Sequence, residues 1–211
     1  MSENSPAFAL RCSDISAPAP VLTGVQAHGR LDAVMFELTL RQAYRNTSDR
    51  VLEVVYTFPL PVAAVLLGFA SELNGQRQQG QIVARRDAER RYEQSLAQGD
   101  APVMLEAHRD GLHTANIGNL QPGDELVLEC RYAQTIGFEQ GRLRVSIPTT
   151  IAPRFGNAEQ AGLQPQQVPH ASLQAEYPLA LTLTLGPALA SASVECPTHR
   201  VEMRPGESGA M

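Results

Sequence analysis

Short runs in which apolar and polar residues alternate recur along most of this chain, and they constrain its fold more than any other feature. The clearest runs cover residues 34–41, 51–58, 126–132 and 179–185. Because successive side chains of a strand point to opposite faces, a period of two predicts strands that are buried on one face. Turn signals separate the runs, such as Asn74-Gly75 and the Pro-Gly pair within 121–124. This pattern predicts an all-β fold, an antiparallel β-sandwich.

One segment has the period of an α-helix instead, and we expect one short helix over about residues 85–98. Its narrow apolar stripe recurs at every fourth position and consists of Ala84, Ala88, Tyr92 and Leu96. Gly99 follows where a left-handed C-terminal cap is expected. The rest of the helix carries acidic residues and four arginines, Arg85, Arg86, Arg90 and Arg91. We interpret this surface as solvated, with an acidic partner as the alternative.

Composition divides the chain into three parts. Residues 1–20 are rich in Ser, Ala and Pro and are expected to be loosely ordered, and 205–211 should form a flexible tail. Residues 21–204 are expected to be a single sandwich unit. Within that unit we expect a motif-bearing core at about 31–155, a loop at 157–170 and extra strands at 171–204, including a final hairpin around 197–199.

Charge and composition exclude several functions. All 17 basic residues are arginine, so the chain has no P-loop lysine, no Schiff-base lysine and no Ser-Lys dyad. A net charge of −5 argues against non-specific binding to nucleic acid, which needs a basic surface. The N-terminus lacks the pattern of a signal peptide, and no apolar run reaches the ~18 residues of a membrane span. We therefore expect a soluble, cytoplasmic protein.

The three cysteines, Cys12, Cys130 and Cys196, are far apart and form no C-x-x-C pair. Such a set argues against a disulfide framework and against a zinc ribbon. Cys130 alternates in phase with the leucines of its run, which predicts a buried thiol. Cys196 lies near His199, but closeness in sequence is not catalytic geometry. We expect no catalytic residue and no cofactor.

A weak candidate metal site surrounds Asp110-Gly111. If this pair formed a two-residue turn, His108 would lie opposite His113 on one face, with their Cβ atoms about 4.5–5.5 Å apart. Glu106 would lie on the same face. Two imidazoles and a carboxylate are zinc ligands, although a solvated pair of histidines near a hairpin tip is the simpler interpretation.

Four motifs occur in a fixed order over roughly half the chain. They are N-T-S-D-R at 46–50, Y-T-F-P-L-P at 56–61, G-N-L-Q-P-G-D-E at 118–125 and I-P-T-T-I-A-P-R-F at 147–155. This order resembles the VIT domain, which is named from vault protein and inter-alpha-trypsin inhibitor. The resemblance implies a non-catalytic β module, of the kind usually found before a von Willebrand A domain.

The resemblance implies a protein-interaction or scaffolding module whose partner is a protein domain, for example a C-terminal von Willebrand A domain of the same polypeptide. The D-x-S-x-S metal motif of an A domain is not found here, and Ser13, Asp14 and Ser16 are expected to be turn residues. Contact residues are expected on the helix or around 106–113. Two alternatives remain: a β module that self-associates through an edge strand, and a zinc-dependent hydrolase that uses the His108/His113 hairpin.

Overall fold

The computed structural model describes residues 10–13, 17–61, 63–80, 85–108, 112–147 and 178–205. These residues form twelve strands, one α-helix and a short 3-10 turn at Pro187–Leu189. The helix, α1, covers Arg85–Ala97. In chain order the strands are β1 (Arg11–Cys12), β2 (Val21–Asp32), β3 (Met35–Arg45), β4 (Leu52–Pro59), β5 (Val65–Leu73), β6 (Gln76–Gln79), β7 (Val103–Ala107), β8 (Leu112–Leu120), β9 (Glu125–Thr135), β10 (Phe138–Glu139), β11 (Arg142–Leu143) and β12 (Leu179–Leu185).

The strands build two sheets that pack face to face, with a small β10–β11 hairpin beside them. One sheet has the order β1-β4-β8-β7 and the other β12-β2-β3-β9-β5-β6. Every pair is antiparallel except β12 with β2, which is parallel. The predicted antiparallel sandwich with one short helix is confirmed, with this one parallel pair as an addition.

An aromatic stack fills the space between the sheets. Tyr56 and Phe58 of β4 stack with ring centroids 5.1 Å apart, and Phe58 stacks on Phe69 of β5 at 5.9 Å. Phe69 belongs to the other sheet, so the stack crosses the interior. The Tyr56 hydroxyl also donates a hydrogen bond to Oε1 of the buried Gln42 on β3. The core is therefore joined across its thickness by ring contacts and by one polar contact.

The alternating runs and their turns have the structure that the pattern predicts. On β9 the residues of the apolar phase are all buried, namely Leu126, Leu128, Cys130 and Tyr132. Asn74 and Gly75 both have positive φ and connect β5 to β6 in a two-residue turn. Gly123 has φ +84°, and the amide of Asp124 donates to the Gln121 carbonyl at 3.1 Å. The type II turn expected at 121–124 is therefore present.

Helix α1 is confirmed, and it packs closely on β8 at Gly118, where an added Cβ would force the Leu96 side chain to move. A Cβ built on Gly118 would overlap the Leu96 side chain and lie 3.2 Å from the Tyr92 hydroxyl. The next residue, Asn119, donates its amide to the carbonyls of Leu96 at 3.0 Å and Asp100 at 2.7 Å. Asn119 therefore satisfies a carbonyl that the end of a helix leaves without an intrahelical partner. Gly99 has φ +84°, as the expected cap requires.

Asn46 joins two of the places where the chain crosses between the sheets, the connections from β3 to β4 and from β8 to β9. Its side chain is fully buried and donates to the carbonyls of Arg50 at 2.9 Å and Leu120 at 3.0 Å. Its backbone exchanges hydrogen bonds with the 121–124 turn, from its amide to the Asp124 carbonyl and from the Gly123 amide to its own carbonyl. The motifs at 46–50 and 118–125 therefore form one hydrogen-bonded junction.

Two regions differ from what the sequence suggested or extend it. The final hairpin expected around 197–199 is wrong, because residues 192–205 form no strand. No described residue there has the positive φ of a tight hairpin turn. Within the N-terminal 20 residues, Arg11–Cys12 pair with β4 and Leu10 is fully buried. At the other end, β12 extends the main sheet through β2. The single-unit boundary 21–204 stays a prediction.

We predict that Asn46→Ala lowers the free energy of unfolding by about 2–3 kcal/mol, because it leaves the buried carbonyl of Leu120 without its donor. Urea denaturation measures the change. Ser48→Ala is the matched control, since it removes hydroxyl bonds of the same loop that are partly solvated. Its cost should be below about 1 kcal/mol. Equal effects of the two substitutions would contradict the role assigned to Asn46.

Candidate interaction surfaces

The candidate metal ligands do not share one face. β7 and β8 pair with Ala107 opposite His113 and Glu106 opposite Thr114. The predicted pairing of His108 with His113 is therefore wrong by one residue. The His108 amide bonds the Leu112 carbonyl at 2.7 Å, so three residues, 109–111, separate the paired ends instead of two. A shift of one residue moves a side chain to the opposite face of a sheet.

The three residues make separate structural contacts. Nε2 of His108 lies 2.7 Å from the Thr114 hydroxyl, and Asn116 donates to Glu106 at 3.4 Å, both on the face directed away from the six-stranded sheet. His113 lies on the inner face, where its ring stacks on Phe58 at 5.3 Å. Within the described ranges, no three His, Cys, Asp or Glu side chains cluster so as to hold a metal ion.

The cysteines occupy two kinds of environment. Cys130 is buried, as its phase in the run predicts, and burial raises the pKa of its thiol to about 12. Cys12 is also buried, near the Pro18 carbonyl. Ser13 donates its amide to the Glu53 carbonyl at 2.8 Å, whereas Asp14 and Ser16 lie outside the described residues. Only Cys196 is an exposed thiol among the three.

A chain of hydrogen-bonded side chains links Cys196 to His199. The Cys196 sulfur lies 3.5 Å from the Thr198 hydroxyl, which lies 2.8 Å from Nδ1 of His199. The Thr198 hydroxyl, and then the backbone amides of Thr198 and His199, lower the pKa of the thiol to about 7. All three residues are exposed on an irregular segment. The arrangement makes a reactive thiol, but it offers no enclosed place for a substrate.

An ionic network covers the outer face of the six-stranded sheet. Glu129 on β9 accepts from Arg77 on β6 at 2.5 and 3.1 Å and from Arg41 on β3 at 3.3 Å. Arg41 also bonds Glu72 on β5 at 3.2 Å. Hydrogen bonding to Arg77 is the largest cause of the lowered pKa of Glu129. Because the network joins four strands with balanced charges, it stabilises the sheet and leaves little net field for an acidic partner.

The exposed surface of α1 carries arginines and acidic residues, with one ion pair between them. Arg86, Arg90 and Arg91 are exposed, and Arg90 bonds Asp87 within the helix at 2.7 Å. The apolar side of the helix is turned toward the protein, and burial raises the pKa of Tyr92 to about 12. These contacts agree with the solvated face that we expected. A contact with a protein partner at this helix stays a prediction.

Exposed apolar side chains gather at one end of the six-stranded sheet. We define the sheet-end patch as Val34, Met35, Val65 and Phe138, which are 40%, 51%, 65% and 65% exposed. Met35 pairs with Thr135 and Val65 with Ala133 on the same outer face. The Ile136 amide bonds the Val34 carbonyl at 2.7 Å, which brings the chain leading to Phe138 beside the β2–β3 turn. Exposed apolar groups that cluster are typical of contact surfaces.

Sequence reasoning missed the sheet-end patch because its members come from three separate segments, 34–35, 65 and 138. One signal was available. Met35 is an apolar residue on the polar phase of its run, between Val34 and Phe36. An apolar side chain on the solvent side of a strand is either covered by another part of the protein or a partner, or it stays exposed to water. Neither the position of Phe138 nor that of Val65 relative to Met35 follows without the strand order.

Comparison with known proteins gives one family match and several relatives that share part of their sequence with this chain. Residues 22–132 match the family model described as the vault protein inter-alpha-trypsin domain. The chain is 29% identical over 150 residues to von Willebrand factor A domain-containing protein 5A of Mus musculus, covering 67% of this chain and 19% of that protein. The rat protein of the same name is 28% identical over 121 residues, covering 56% of this chain and 15% of that protein.

A von Willebrand factor A domain-containing protein of Dictyostelium discoideum is 32% identical over 87 residues, which are 41% of this chain and 10% of that protein. The chain therefore spans less than a fifth of the length of these relatives. Separately, no helix among the described residues is long and apolar enough to cross a membrane.

We predict that Glu129→Gln lowers the free energy of unfolding by about 0.5–1 kcal/mol at pH 7, because the arginines lose an ionic acceptor. The pKa of Glu129 is depressed in the folded protein. Its contribution is therefore full above the ordinary value of 4.5 and is lost as the pH falls through the folded value. Urea unfolding at pH 7 and pH 3 should show a smaller difference at pH 3 than at pH 7.

The control for Glu129→Gln is Glu125→Gln, whose carboxylate lies 3.9 Å from Arg45 with both side chains exposed. That substitution should change the free energy of unfolding by less than about 0.3 kcal/mol. A difference that persists undiminished at pH 3 would contradict the ionic origin of the effect.

We predict that iodoacetamide alkylates Cys196 well before Cys12 and Cys130 in the folded protein, since the other two thiols are buried. The rate should rise with pH around a midpoint near 7, because the thiolate is the reactive form. Peptide mass spectrometry of timed samples measures it. Thr198→Val should move the midpoint toward the ordinary value of 9. A midpoint already near 9 in the unmodified chain would refute the hydrogen-bonded arrangement.

Proposed function

Because this chain belongs to the vault protein inter-alpha-trypsin domain family, we propose that it is a non-catalytic protein-interaction module whose partner is a von Willebrand A domain. The relatives found are named as A domain-containing proteins, and this supports the choice of partner. The chain spans only 15–19% of the rat and mouse proteins, so the partner is a proposal drawn from them.

This proposal rests on a contrast between two kinds of side chain. The polar candidates from the sequence bond or stack within the protein, whereas a group of apolar side chains is exposed to solvent. Glu106, His108 and Glu129 bond neighbouring side chains, and the half-buried His113 stacks on Phe58. A zinc hydrolase would need the two histidines on one face, and the register of β7 and β8 separates them. The described residues therefore give little geometric support to a catalytic role, whereas the sheet-end patch supports a role as a contact surface.

We assign the contact to the sheet-end patch, with Phe138 as its centre. Aromatic side chains supply most of the binding energy at many interfaces when a partner desolvates them. Phe138 stands on the short β10–β11 hairpin and is 65% exposed. Charged residues surround the patch, including the Arg30–Asp32 pair at 2.8 Å and the Arg131–Glu37 pair at 3.6 Å. An apolar centre with a polar rim is the usual anatomy of a protein interface.

The proposed contact with an A domain has two alternatives, a contact through the helix surface and self-association. The helix surface proposed from the sequence carries arginines that are interleaved with acidic residues, so it favours solvent over a partner. Self-association would use the edge strand β12, which contributes no residue to the sheet-end patch, and it is therefore independent of the A-domain contact. Neither alternative uses the sheet-end patch, so substitutions there separate the proposed contact from both.

We predict that the A domain encoded in the same reading frame binds this chain and that Phe138→Asp weakens binding by more than about tenfold, or ~1.4 kcal/mol. Isothermal titration calorimetry with the two parts expressed separately measures the affinity. Val51→Asp is the matched control, because Val51 is 51% exposed in the connection between β3 and β4, beyond the end of β3 that lies away from Met35. It should leave the affinity within about twofold.

Two results would contradict the proposed function. One is a reading frame that holds no A domain. The other is an A domain that shows no binding, or binding that Phe138→Asp and Val51→Asp weaken equally. In the last case the parts associate, but the sheet-end patch is not the surface they use.

A further inference from the structure

Among the described residues, β12 is an edge strand without the features that normally prevent strand addition. Within this part of the chain it lies at the end of the six-stranded sheet and bonds β2 on one side. In a parallel pair only alternate residues direct their backbone groups toward the neighbour, so the others point away from the sheet. The strand reads L-A-L-T-L-T-L, with no charge and no proline within it. Edges of this kind are templates for pairing with another strand.

The other described edges are protected. β1 has two residues, and β6 has four and carries Arg77, which is held by Glu129. β7 carries Glu106 and contacts α1. β12 has seven residues, and it alone among these four edges has no charged residue. Charged residues and short length are recognised means of blocking an edge, so β12 is the edge where pairing is least opposed.

The leucines of β12 show that its apolar face is incompletely covered. They share the inner face with Val25, Ala27 and Leu31 of β2. Leu183 and Leu185 pack partly against the core. Leu179 and Leu181 remain 44% and 54% exposed. The apolar face of the sheet thus continues to its edge and ends there in two exposed leucines.

The sequence of β12 is complementary to itself in antiparallel pairing. With Thr182 opposite its own symmetry mate, Leu179 lies opposite Leu185, Leu181 opposite Leu183, and Ala180 opposite Thr184. Each exposed leucine then meets a partly buried leucine of the other copy, and the polar face meets threonine with threonine or alanine. Pro178 and Pro187 limit the strand to this length, because proline cannot donate to a ladder. No pair brings like charges together.

We propose that two copies of this chain pair symmetrically through β12, antiparallel about Thr182, so that their six-stranded sheets form one continuous sheet. The symmetry closes the assembly at two copies, because each copy uses its one β12 edge. The short strand gives an interface at the small end of the specific range, so association depends on protein concentration. This inference does not rest on the proposed A-domain contact, which uses other residues.

Disulfide trapping tests the register. In a Cys196→Ser background, Thr182→Cys places two thiols on directly opposed residues, whose Cα atoms are about 4.5–5.5 Å apart and within disulfide range. Thr184→Cys is the matched control on the same exposed face. In the proposed register its symmetry mate is four residues away along the strand, about 14 Å. After mild oxidation, non-reducing gels should show a covalent dimer for Thr182→Cys and monomer for Thr184→Cys.

Sedimentation equilibrium of the unmodified chain gives the second measurement. The average mass should rise with concentration toward twice that of the monomer. Thr182→Lys should weaken dimerisation by at least tenfold, because it sets like charges opposite each other on an exposed face where folding is not affected. Thr184→Lys faces Ala180 of the other copy and should weaken it less. Circular dichroism confirms that both variants fold.

Several outcomes would overturn the proposal. A chain that stays monomeric at all concentrations excludes pairing of two copies, and β12 is then open to a strand of another protein. A dimer in which Thr182→Cys does not cross-link, or in which Thr184→Cys cross-links equally, excludes this register. Preferential cross-linking at Thr182, together with a mass that Thr182→Lys returns to monomer, supports it.

Discussion

The buried side chain of Asn46 is the contact on which the arrangement of the two sheets depends. The chain passes from the six-stranded sheet to the other sheet between β3 and β4, and it passes back between β8 and β9. Asn46 bonds both of these crossings. An asparagine suits this place because its amide donates twice while its carbonyl accepts from the Ser48 amide and hydroxyl. Leucine at this position would remove the side-chain donor from the buried carbonyl of Leu120. Two of the four sequence motifs, at 46–50 and 118–125, therefore meet in one hydrogen-bonded junction.

Local features were predictable because their causes are local. The β5–β6 turn follows from Asn74-Gly75, and the helix stop follows from Gly99, since both depend on backbone conformations that few residues adopt. The register of β7 and β8 was not predictable, because it depends on whether two or three residues form the connection. The parallel placement of β12 depends on the long connection that precedes it, which an alternating pattern does not reveal. The alternation at 194–203 pairs with no strand among the described residues.

The two histidines of the candidate metal site proved to make structural contacts, and the surface candidates came from apolar residues without a chemical signal in the sequence. His113 stands in an aromatic stack and His108 in a hydrogen bond with Thr114. Met35 and Phe138, by contrast, become interesting only when the strand order brings them to one end of the sheet. Sites made of titratable groups can be predicted from a sequence because few residue types form them. Contact surfaces cannot be predicted in this way, because their prediction requires knowing which apolar side chains the fold leaves exposed to solvent.

The position of α1 over Gly118 has a consequence for the order of folding. A helix of 13 residues is marginal by itself in water, and α1 receives both its packing platform and one of its terminal hydrogen bonds from Gly118 and Asn119 of β8. The sheets, meanwhile, depend on pairing between segments as distant as Arg41 and Glu129, and such distant pairing slows folding. We therefore expect the helix, although local in sequence, to become stable only after β8 has joined β4.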